Sequence, residues 1–260
     1  MSVLLEAKRL TIYFGGLAAV KNLDMALHPG EILSLIGPNG AGKTTAFNLV
    51  TGFYRPTAGR IYFRGKDITS LKRHQIAKRG IIRTFQKTEV FPEITALESV
   101  TIGLHLKESC PVFHILLNNQ RAREEEKRTH ARALEILEFV GLAPKKEVLS
   151  RNLSYGEMRL LEIAVALGSK PEVLLLDEPT SGMNPEESYR AMTLIEKVRE
   201  TGVTILLVEH DMNVVMGISD RIVVLDHGEK IAEGLPEEIQ ANEEVIKAYL
   251  GSDFIHAQVS

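Results

Sequence analysis

The segment Gly37-Pro38-Asn39-Gly40-Ala41-Gly42-Lys43-Thr44 matches the phosphate-binding pattern G-x-x-x-x-G-K-[ST]. The apolar run Ile32–Ile36 precedes it and the helix-compatible residues 44–50 follow it, so the local order is strand, loop, helix. Glycines in such a loop let backbone N–H groups converge on a phosphate, and the N-terminus of the following helix adds positive potential. The sequence therefore predicts a P-loop that binds the phosphates of a nucleotide.

Three side chains of this loop have predicted roles. We expect Lys43 to reach the β- and γ-phosphates, Thr44 to place its hydroxyl on a magnesium ion, and Thr45 to add a hydroxyl or amide contact nearby. The alternative is a glycine-rich turn with an incidental lysine, and the flanking strand and helix argue against it. The residues predicted to hold the phosphates are Gly37, Pro38, Asn39, Gly40, Ala41, Gly42, Lys43, Thr44 and Thr45.

A second apolar run, residues 173–176, ends in the two carboxylates Asp177 and Glu178. Acidic residues at the end of a strand are usually only solvated, but a P-loop needs such a partner. Asp177 can hold the hydration shell of magnesium, and Glu178, one residue further on, can polarise an attacking water. The pair therefore predicts the catalytic half of a nucleotide site.

Strand-like and helix-like segments divide the rest of the first two thirds of the chain. Residues 23–27 alternate apolar and polar side chains, and residues 59–67 predict a strand that ends in a glycine-containing turn, so this part is expected to consist of short strands. From residue 88 to 168 the strand signals fade, and the charged stretch 121–140 carries apolar residues at helical spacing. This region predicts a helical insertion.

Buried parallel strands are predicted to return after the insertion. Residues 173–176 and Thr204–Val208 are apolar runs of strand length, separated by the helical stretch 186–199, which is a βαβ arrangement. Residues 221–233 predict a β-hairpin, and residues 237–250 predict a terminal helix.

The composition limits the classes of function. The chain has 260 residues, with 31 Lys and Arg against 34 Asp and Glu and a net charge of −3, so no overall basic field attracts nucleic acid. The mixed charges of residues 121–128 likewise indicate a solvated helix face. A single cysteine, Cys110, excludes an internal disulfide framework and a paired-cysteine zinc site.

Membrane and export signals are missing from the sequence pattern. No run approaches the roughly 18 apolar residues of a membrane-spanning helix, and the N-terminus carries charge too early for a secretory signal. We therefore expect the protein to stay inside the cell and to associate with a membrane only through a partner protein.

The segment Leu153-Ser154-Tyr155-Gly156-Glu157 precedes a strongly apolar run, residues 158–167. Ser154 is predicted to be the N-cap of a helix, with free amides in the next residues. Further along, His210 follows the apolar run Thr204–Val208 between two carboxylates, on the edge predicted to be catalytic. Either residue alone is open to a purely structural interpretation.

In this order, the P-loop, the Leu-Ser-x-Gly segment, the Asp-Glu pair and His210 resemble an ABC ATPase, and the resemblance spans nearly the whole chain. It implies an α/β fold with a P-loop NTPase core, an antiparallel β subdomain and an inserted α-helical subdomain. The implied boundaries are 1–87 and 169–236 for the nucleotide-binding core with its β subdomain, 88–168 for the helical subdomain with the signature motif, and 237–260 for a C-terminal helix and tail.

The resemblance assigns further residues. Gln86 resembles the glutamine that contacts magnesium or water and senses the membrane partner, and His210 resembles the switch histidine that contacts the γ-phosphate. Ser154 and Gly156 resemble the signature that closes over the γ-phosphate of the opposite subunit. The catalytic candidates are Glu178, His210 and Gln86. The metal candidates are Thr44, Gln86 and Asp177.

The adenine-binding residue is also assigned by resemblance. Phe14, before Gly15, resembles the aromatic side chain that stacks on adenine, with Tyr13 and Val20 nearby as further candidates.

Three positions depart from the family pattern. Tyr155 replaces the central glycine of the signature, Glu157 replaces its glutamine, and Asn184 replaces the aspartate of the D-loop, residues 181–184. We expect activity to survive the first change, since the side chain of residue 155 is not required to donate to phosphate. Asn184 carries no charge, which argues against ionic coupling through the D-loop.

The resemblance implies a head-to-tail dimer with two ATP molecules between the P-loop of one chain and the signature of the other. The implied cofactors are ATP and Mg²⁺. The implied partners are integral membrane permease subunits, a second ATP-binding subunit that is identical or paralogous, and, indirectly, a periplasmic or extracellular substrate-binding protein. The chain would then lie peripherally on the cytoplasmic face of the membrane, bound to the permeases.

Within the family, the chain most resembles the ATP-binding subunits of bacterial branched-chain amino-acid importers. The residues that carry this resemblance are 14–20, 83–86, the insert around Arg121, 153–156 and the ending 245–251. A lipopolysaccharide-export ATPase is the alternative within transport. A soluble ABC ATPase acting on DNA or ribosomes typically carries a coiled-coil insertion or a second cassette, for which 260 residues leave no room. A simple P-loop kinase leaves the signature and His210 unexplained.

Apolar side chains at Val90, Phe91, Pro92 and Ile94 follow Gln86. They predict either a groove for a helix of the partner or a loop that is tucked onto the chain's own core.

Overall fold

The computed structural model describes residues 3–84, 92–105 and 120–249. Within these ranges the strands are β1 (Leu5–Phe14), β2 (Leu17–Leu27), β3 (Ile32–Ile36), β4 (Ala58–Phe63), β5 (Lys66–Asp67), β6 (Ile81–Arg83), β7 (Val173–Asp177), β8 (Thr204–Val208), β9 (Arg221–Asp226) and β10 (Glu229–Gly234). The helices are α1 (Lys43–Val50), α2 (Arg73–Lys78), α3 (Ala96–His105), α4 (Gln120–Phe139), α5 (Tyr155–Gly168), α6 (Pro185–Glu200), α7 (Met212–Ile218) and α8 (Pro236–Gln240), and another spans 243–249. None of the helices in these ranges has the length and apolarity needed to cross a bilayer.

The central sheet has the strand order β10-β9-β3-β8-β7-β6. Strands β9, β3, β8, β7 and β6 are parallel, and β10 pairs antiparallel with β9 in the predicted hairpin. Every residue of β3, β7 and β8 is buried, as expected for a parallel sheet covered on both faces. Parallel strands end at a common edge, so the P-loop after β3 lies beside the residues that end β7 and β8.

A separate antiparallel sheet has the strand order β2-β1-β4-β5. With 10 and 11 residues, β1 and β2 are longer than the short strands that the sequence predicts. Register shifts between Ala7 and Leu10 and between Leu10 and Ile12 explain the difference. Such bulges interrupt the alternation of apolar side chains without ending the strand pairing.

Side chains of β3 alternate between the two faces of the central sheet. Leu33 and Leu35 belong to a core shared with the antiparallel sheet and α1. Ile32 faces a second core, built with α3 to α7, and Ile36 faces a third core with residues of β9 and the C-terminal helices. The period of two in a strand therefore lets one buried strand join all three cores.

Helices α3, α4 and α5 form the predicted helical insertion. At Gly103 an added Cβ would lie 2.3 Å from the carbonyl oxygen of Val165, so glycine allows α3 and α5 to cross closely. The backbone N–H groups of Arg151 and Ser150 donate to Pro92 O and Ile94 O, at 3.3 and 2.9 Å. This end of the predicted partner loop is tucked onto the chain's own helices.

Some predicted features lie outside the described residues. They are Gln86, Val90, Phe91, Cys110 and the tail after residue 249.

The C-terminal segment corrects one prediction. The single terminal helix expected over residues 237–250 is wrong, because α8 ends at Gln240 and a new helix starts at residue 243. Between them, the side-chain oxygen of Asn242 accepts hydrogen bonds from Glu244 N at 2.9 Å and Val245 N at 3.2 Å. An asparagine that satisfies free N–H groups in this way is an N-cap, so the chain restarts its helix there.

Candidate nucleotide-binding and catalytic site

The P-loop connects β3 to α1 and leaves backbone N–H groups available. Gly42, the N-cap of α1, has φ 101°, and a Cβ there would lie 2.4 Å from the carbonyl oxygen of Ala19. Only glycine fits this position. Because glycine has no side chain to accept from the first turn of α1, the N–H groups of that turn remain free for an anion.

Lys43 folds back over its own loop. Its buried ammonium donates to the carbonyl oxygens of Gly37 at 2.6 Å and Pro38 at 3.0 Å. Burial lowers the pKa of Lys43, and the carboxylates of Glu178 and Asp177 act in the opposite direction. The ammonium is thus attracted by the predicted catalytic carboxylate, Glu178, and by the predicted metal ligand, Asp177.

Asp177, the last residue of β7, and Glu178, which follows it, have different environments. The Asp177 side chain is 4% exposed, and its Oδ2 lies 2.5 Å from Arg83 Nη2. Glu178 has φ 49°, and its side chain is 46% exposed. A left-handed residue turns sharply out of the strand direction, so the two neighbouring carboxylates separate into one buried group and one open group.

His210 follows β8 at the same edge of the sheet. Its Nδ1 lies 4.0 Å from Glu178 Oε2 and 3.6 Å from Glu209 Oε2. The structure therefore brings together two residues that are separated by most of the βαβ unit. Neither distance is that of a hydrogen bond, so neither carboxylate holds the imidazole directly.

Glu209 is a site residue to which sequence reasoning gives no role. Its side chain is fully buried. Its Oε1 accepts from Thr180 N at 2.9 Å and Thr180 Oγ1 at 2.5 Å, and its Oε2 accepts from His210 N at 2.9 Å. Glu209 therefore joins the turn after Glu178 to the turn that carries His210. The signal that it shares with Asp177 is a carboxylate directly after a run of four apolar residues.

Ser154 is the N-cap of α5, as predicted. Its hydroxyl accepts from Glu157 N at 3.3 Å, and Glu157 Oε2 accepts from Ser154 N at 2.9 Å, which is a capping box. Burial alone would raise the pKa of Glu157, but the hydrogen bonds from Lys145 and Ser154 outweigh it and lower that pKa. Glu157, which replaces the glutamine of the family pattern, therefore still completes the capping box at the start of α5.

The residues after Ser154 pack against the loop that follows Glu178. A Cβ on Gly182 would lie 3.2 Å from the Tyr155 ring, and one on Gly156 would lie 2.7 Å from Glu187 Oε1. Glu187 in turn donates its N–H to the Asn184 side chain at 3.0 Å. The Leu-Ser-x-Gly segment and the 181–184 loop thus form one packed unit in the chain.

Comparison with known proteins identifies the family. A family model described as ABC transporter matches residues 20–181. The high-affinity branched-chain amino acid transport ATP-binding protein LivG of Escherichia coli (strain K12) is 46% identical over 249 residues, covering 95% of this chain and 98% of the relative. The chain belongs to the ABC transporter family. The resemblance drawn from its motifs is confirmed.

Other comparisons agree with this membership. The protein BraF of Pseudomonas aeruginosa, with the same description as LivG, is 44% identical over 249 residues, covering 95% of this chain and 98% of the relative. A model described as branched-chain amino acid ATP-binding cassette transporter matches residues 229–255. A crystal structure of the ADP conformation of an ATP-binding cassette of an ABC transporter has a TM-score of 0.85 and 31% identity, covering 96% of this chain and all of that one. The predicted ABC ATPase fold is therefore confirmed.

In this ABC cassette, the predicted adenine-binding residues differ in exposure to solvent. Phe14 is 44% exposed and meets the Tyr54 ring edge-to-face at 5.1 Å. Tyr13 is also exposed. Val20 is fully buried beside Gly42, so it lies beneath the P-loop and presents no open surface next to Phe14.

The residues around the P-loop fit a magnesium ion that is shared with a nucleotide. Among the described residues, no group of three or more His, Cys, Asp or Glu side chains could hold a metal alone. Magnesium needs no such group, because it prefers hard oxygen ligands and usually combines one or two protein ligands with phosphates and water. The Thr44 hydroxyl and the Asp177 carboxylate supply such oxygens. The third metal candidate, Gln86, is outside the described ranges.

Proposed function

We propose that this chain is the ATP-hydrolysing subunit of a branched-chain amino-acid importer and that it works on separate permease subunits. The observation that carries the proposal is that Lys43, Asp177, Glu178 and His210 follow or end the parallel strands β3, β7 and β8 at one edge of the central sheet. Relatives at 44% and 46% identity over 95% of the chain are named as branched-chain amino acid transport ATP-binding proteins. No observation favours lipopolysaccharide export.

The side chains divide the work of hydrolysis. Lys43 exchanges its two carbonyl partners for oxygens of the β- and γ-phosphates, while N–H groups of the P-loop and α1 hold the remaining oxygens. Thr44 and Asp177 would hold a magnesium ion, which would neutralise phosphate charge when bound. Glu178 accepts a proton from the attacking water, and His210, at the same edge of the sheet, contacts the γ-phosphate. Glu209 holds His210 through the backbone.

The dimer is part of the proposal. Ser154 and Tyr155 lie exposed at the start of α5, where free amides can meet the γ-phosphate on a second ATP-binding subunit. A solved structure described as a dimeric bacterial ABC transporter cassette has a TM-score of 0.75 and 29% identity, covering 89% of this chain and 98% of that one. ATP drives closure because it binds the closed dimer better than the open one.

A groove beside Arg83 is the proposed permease site. It has a volume of about 650 Å³ and lies between the core and the C-terminal end of α5, and its lining includes Thr84, two residues before Gln86 in the sequence. Its walls are largely apolar, with a rim of basic side chains from α2, so a short helix of a permease can seat there from the cytoplasmic side. Lining residues include Phe53, Tyr54, Arg73, His74, Arg83 and Val165.

Membrane reconstitution tests the proposal. A tagged chain is purified from host membranes, its bound subunits are identified by mass spectrometry, and the complex is placed in vesicles with ATP inside and radiolabelled leucine outside. We expect uptake that depends on the substrate-binding protein and that is lost with Glu178→Gln. Isolation of lipid-export subunits, or uptake that Glu178→Gln leaves unchanged, contradicts the proposal.

A further inference from the structure

The Arg83 side chain joins the P-loop helix to the predicted magnesium ligand. Its Nη2 lies 2.5 Å from Asp177 Oδ2, and its Nη1 donates to Asn48 Oδ1 at 2.6 Å. The Arg83 side chain is 14% exposed and that of Asp177 is 4% exposed, so water screens this pair little.

The backbone and the packing hold the guanidinium in place. Arg83 is the last residue of β6 and pairs with Leu175 of β7, two residues before Asp177. Its guanidinium carbon lies 5.7 Å from the centre of the Phe47 ring on α1. The planar fork can therefore bond Asp177 with one arm and Asn48 with the other, a geometry that an ammonium group cannot reproduce.

Fixing one oxygen of a carboxylate also fixes the direction of the other. With Oδ2 held by Arg83, Asp177 cannot rotate freely, and Oδ1 keeps a constant direction relative to α1, which begins at Lys43. Charged hydrogen bonds of this kind orient metal-binding carboxylates in many proteins, and their loss typically costs about 10- to 100-fold in metal affinity.

We propose that Arg83 is a positioning residue that holds Asp177 in the orientation in which it binds the magnesium ion of the bound nucleotide. The inference rests on the proposed function, because it takes Mg²⁺-ATP as the ligand and Asp177 as a ligand of the metal. It adds to that function a residue that acts through Asp177, by fixing the orientation of its carboxylate.

The test measures binding of a fluorescent ATP analogue with magnesium and with EDTA, on the full-length protein. The ratio of the two affinities is the magnesium enhancement. We expect Arg83→Met to reduce this enhancement by about tenfold or more, with little change in the affinity in EDTA. Arg83→Lys should recover part of the loss, because it keeps the charge and loses the fork. ATPase titrations with magnesium should show the same order.

Arg60→Met is the matched control. Arg60 Nη1 also bonds an aspartate, Asp67 Oδ2 at 2.6 Å, but this pair is exposed on the antiparallel sheet. The magnesium enhancement of Arg60→Met should equal that of the wild type. An Arg83→Met protein that melts cooperatively and has the same enhancement as Arg60→Met overturns the inference.

Two further variants separate the possible failures. If Arg83→Met does not fold, Asn48→Ala removes only the second anchor of the guanidinium, and it should lower the enhancement in the same direction by a smaller factor. An unchanged enhancement in Asn48→Ala then overturns the inference. Asp177→Asn should abolish the enhancement; if it does so while both Arg83 variants keep theirs, the proposed function stands and the role of Arg83 falls.

Discussion

Glu178 shows how one backbone conformation separates two adjacent carboxylates. Its φ of 49° belongs to the left-handed region, which costs a non-glycine residue on the order of 1 kcal/mol. The Glu178 N–H is held by Val208 O at 2.8 Å, so strand β8 keeps the residue in this conformation. The strain places one carboxylate in the open site while Asp177 stays buried beside Arg83.

The first prediction concerns Glu178→Gln. The amide has nearly the same shape but cannot take a proton from water, so we expect ATP affinity to be kept and turnover to fall by roughly 10² or more. An ATP-bound dimer should then accumulate on a sizing column. Lys43→Ala is the contrasting variant, since a methyl group cannot neutralise phosphate charge and tight ATP binding should be lost. Turnover at the wild-type rate in Glu178→Gln would mean that Glu178 is not the base that accepts the proton from water.

The second prediction concerns Glu209, which uses both oxygens as acceptors. Oε1 accepts from Thr180 and Oε2 accepts from His210 N. In Glu209→Gln one acceptor becomes an NH₂ group that faces a donor, and a charged acceptor is lost. We expect the free energy of unfolding to fall by about 1–3 kcal/mol and kcat to fall with it, because His210 is no longer held.

Urea unfolding and steady-state kinetics measure these effects. Glu229→Gln is the control, because Glu229 forms an exposed ion pair with Lys21 at 2.5 Å and exposed pairs contribute at most about 1 kcal/mol. Equal stability of the two variants means that the buried network does not hold the two turns.

At the scale of elements, apolar runs and caps predict the structure well. Strands β3, β7 and β8 are apolar at nearly every position, and α5 starts at the serine that its capping pattern predicts. Their signals are local, so no knowledge of the rest of the chain is needed. Boundaries of the proposed subdomains, 1–87 with 169–236, 88–168 and 237–260, stay predictions.

Elements whose bounds depend on distant partners are predicted less well. The length of β1 is set by pairing with β2 and β4 across bulges. The break at Asn242 follows from an asparagine side chain turning to cap the next helix, an event that composition does not distinguish from a solvated residue in one long helix. The hydrogen bonds of Glu209 cannot be predicted from local sequence either, because its partner Thr180 is 29 residues away along the chain.

The third prediction concerns the crossing of α3 and α5. An added methyl at Gly103 would lie 2.3 Å from the backbone oxygen of Val165, which cannot move without shifting α5. We therefore expect Gly103→Ala to lower the free energy of unfolding by about 1–3 kcal/mol, as overpacking usually does. Gly16→Ala is the control, because no atom lies within 4 Å of its added Cβ. Urea midpoints of the two variants should differ clearly; identical midpoints would mean that the crossing tolerates a methyl.

At the scale of the whole molecule, the proposed site is divided between two parts of the fold. Lys43 and Glu178 lie at the edge of the central sheet, whereas Ser154 caps a helix of the insertion whose first residues pack with the loop after Glu178. The sequence predicts each motif, because each is local. Which motifs share a nucleotide is a property of the dimer, and it is tested by mixing chains.

The last prediction uses two variants that are inactive for different reasons. Ser154→Arg blocks the signature, and Lys43→Ala removes the phosphate-binding lysine. In a heterodimer of the two, one interface pairs an intact Lys43 with an intact Ser154, and the other interface carries both changes. If pairing is random and the sites act independently, half of the dimers have one working site of two, so we expect recovery to at most about a quarter of wild-type activity.

The measurement is ATPase activity with the permease present, or at high protein concentration, so that dimers form. Each variant alone is the control for residual activity, and heterodimers are verified with two different affinity tags. A mixture as inactive as its parents, with heterodimers verified, means that both sites must fire together or that the site is not shared. An arginine that faced the γ-phosphate at the start of α5 would obstruct closure of the dimer. Full activity of Ser154→Arg alone would therefore mean that the signature is not part of the site.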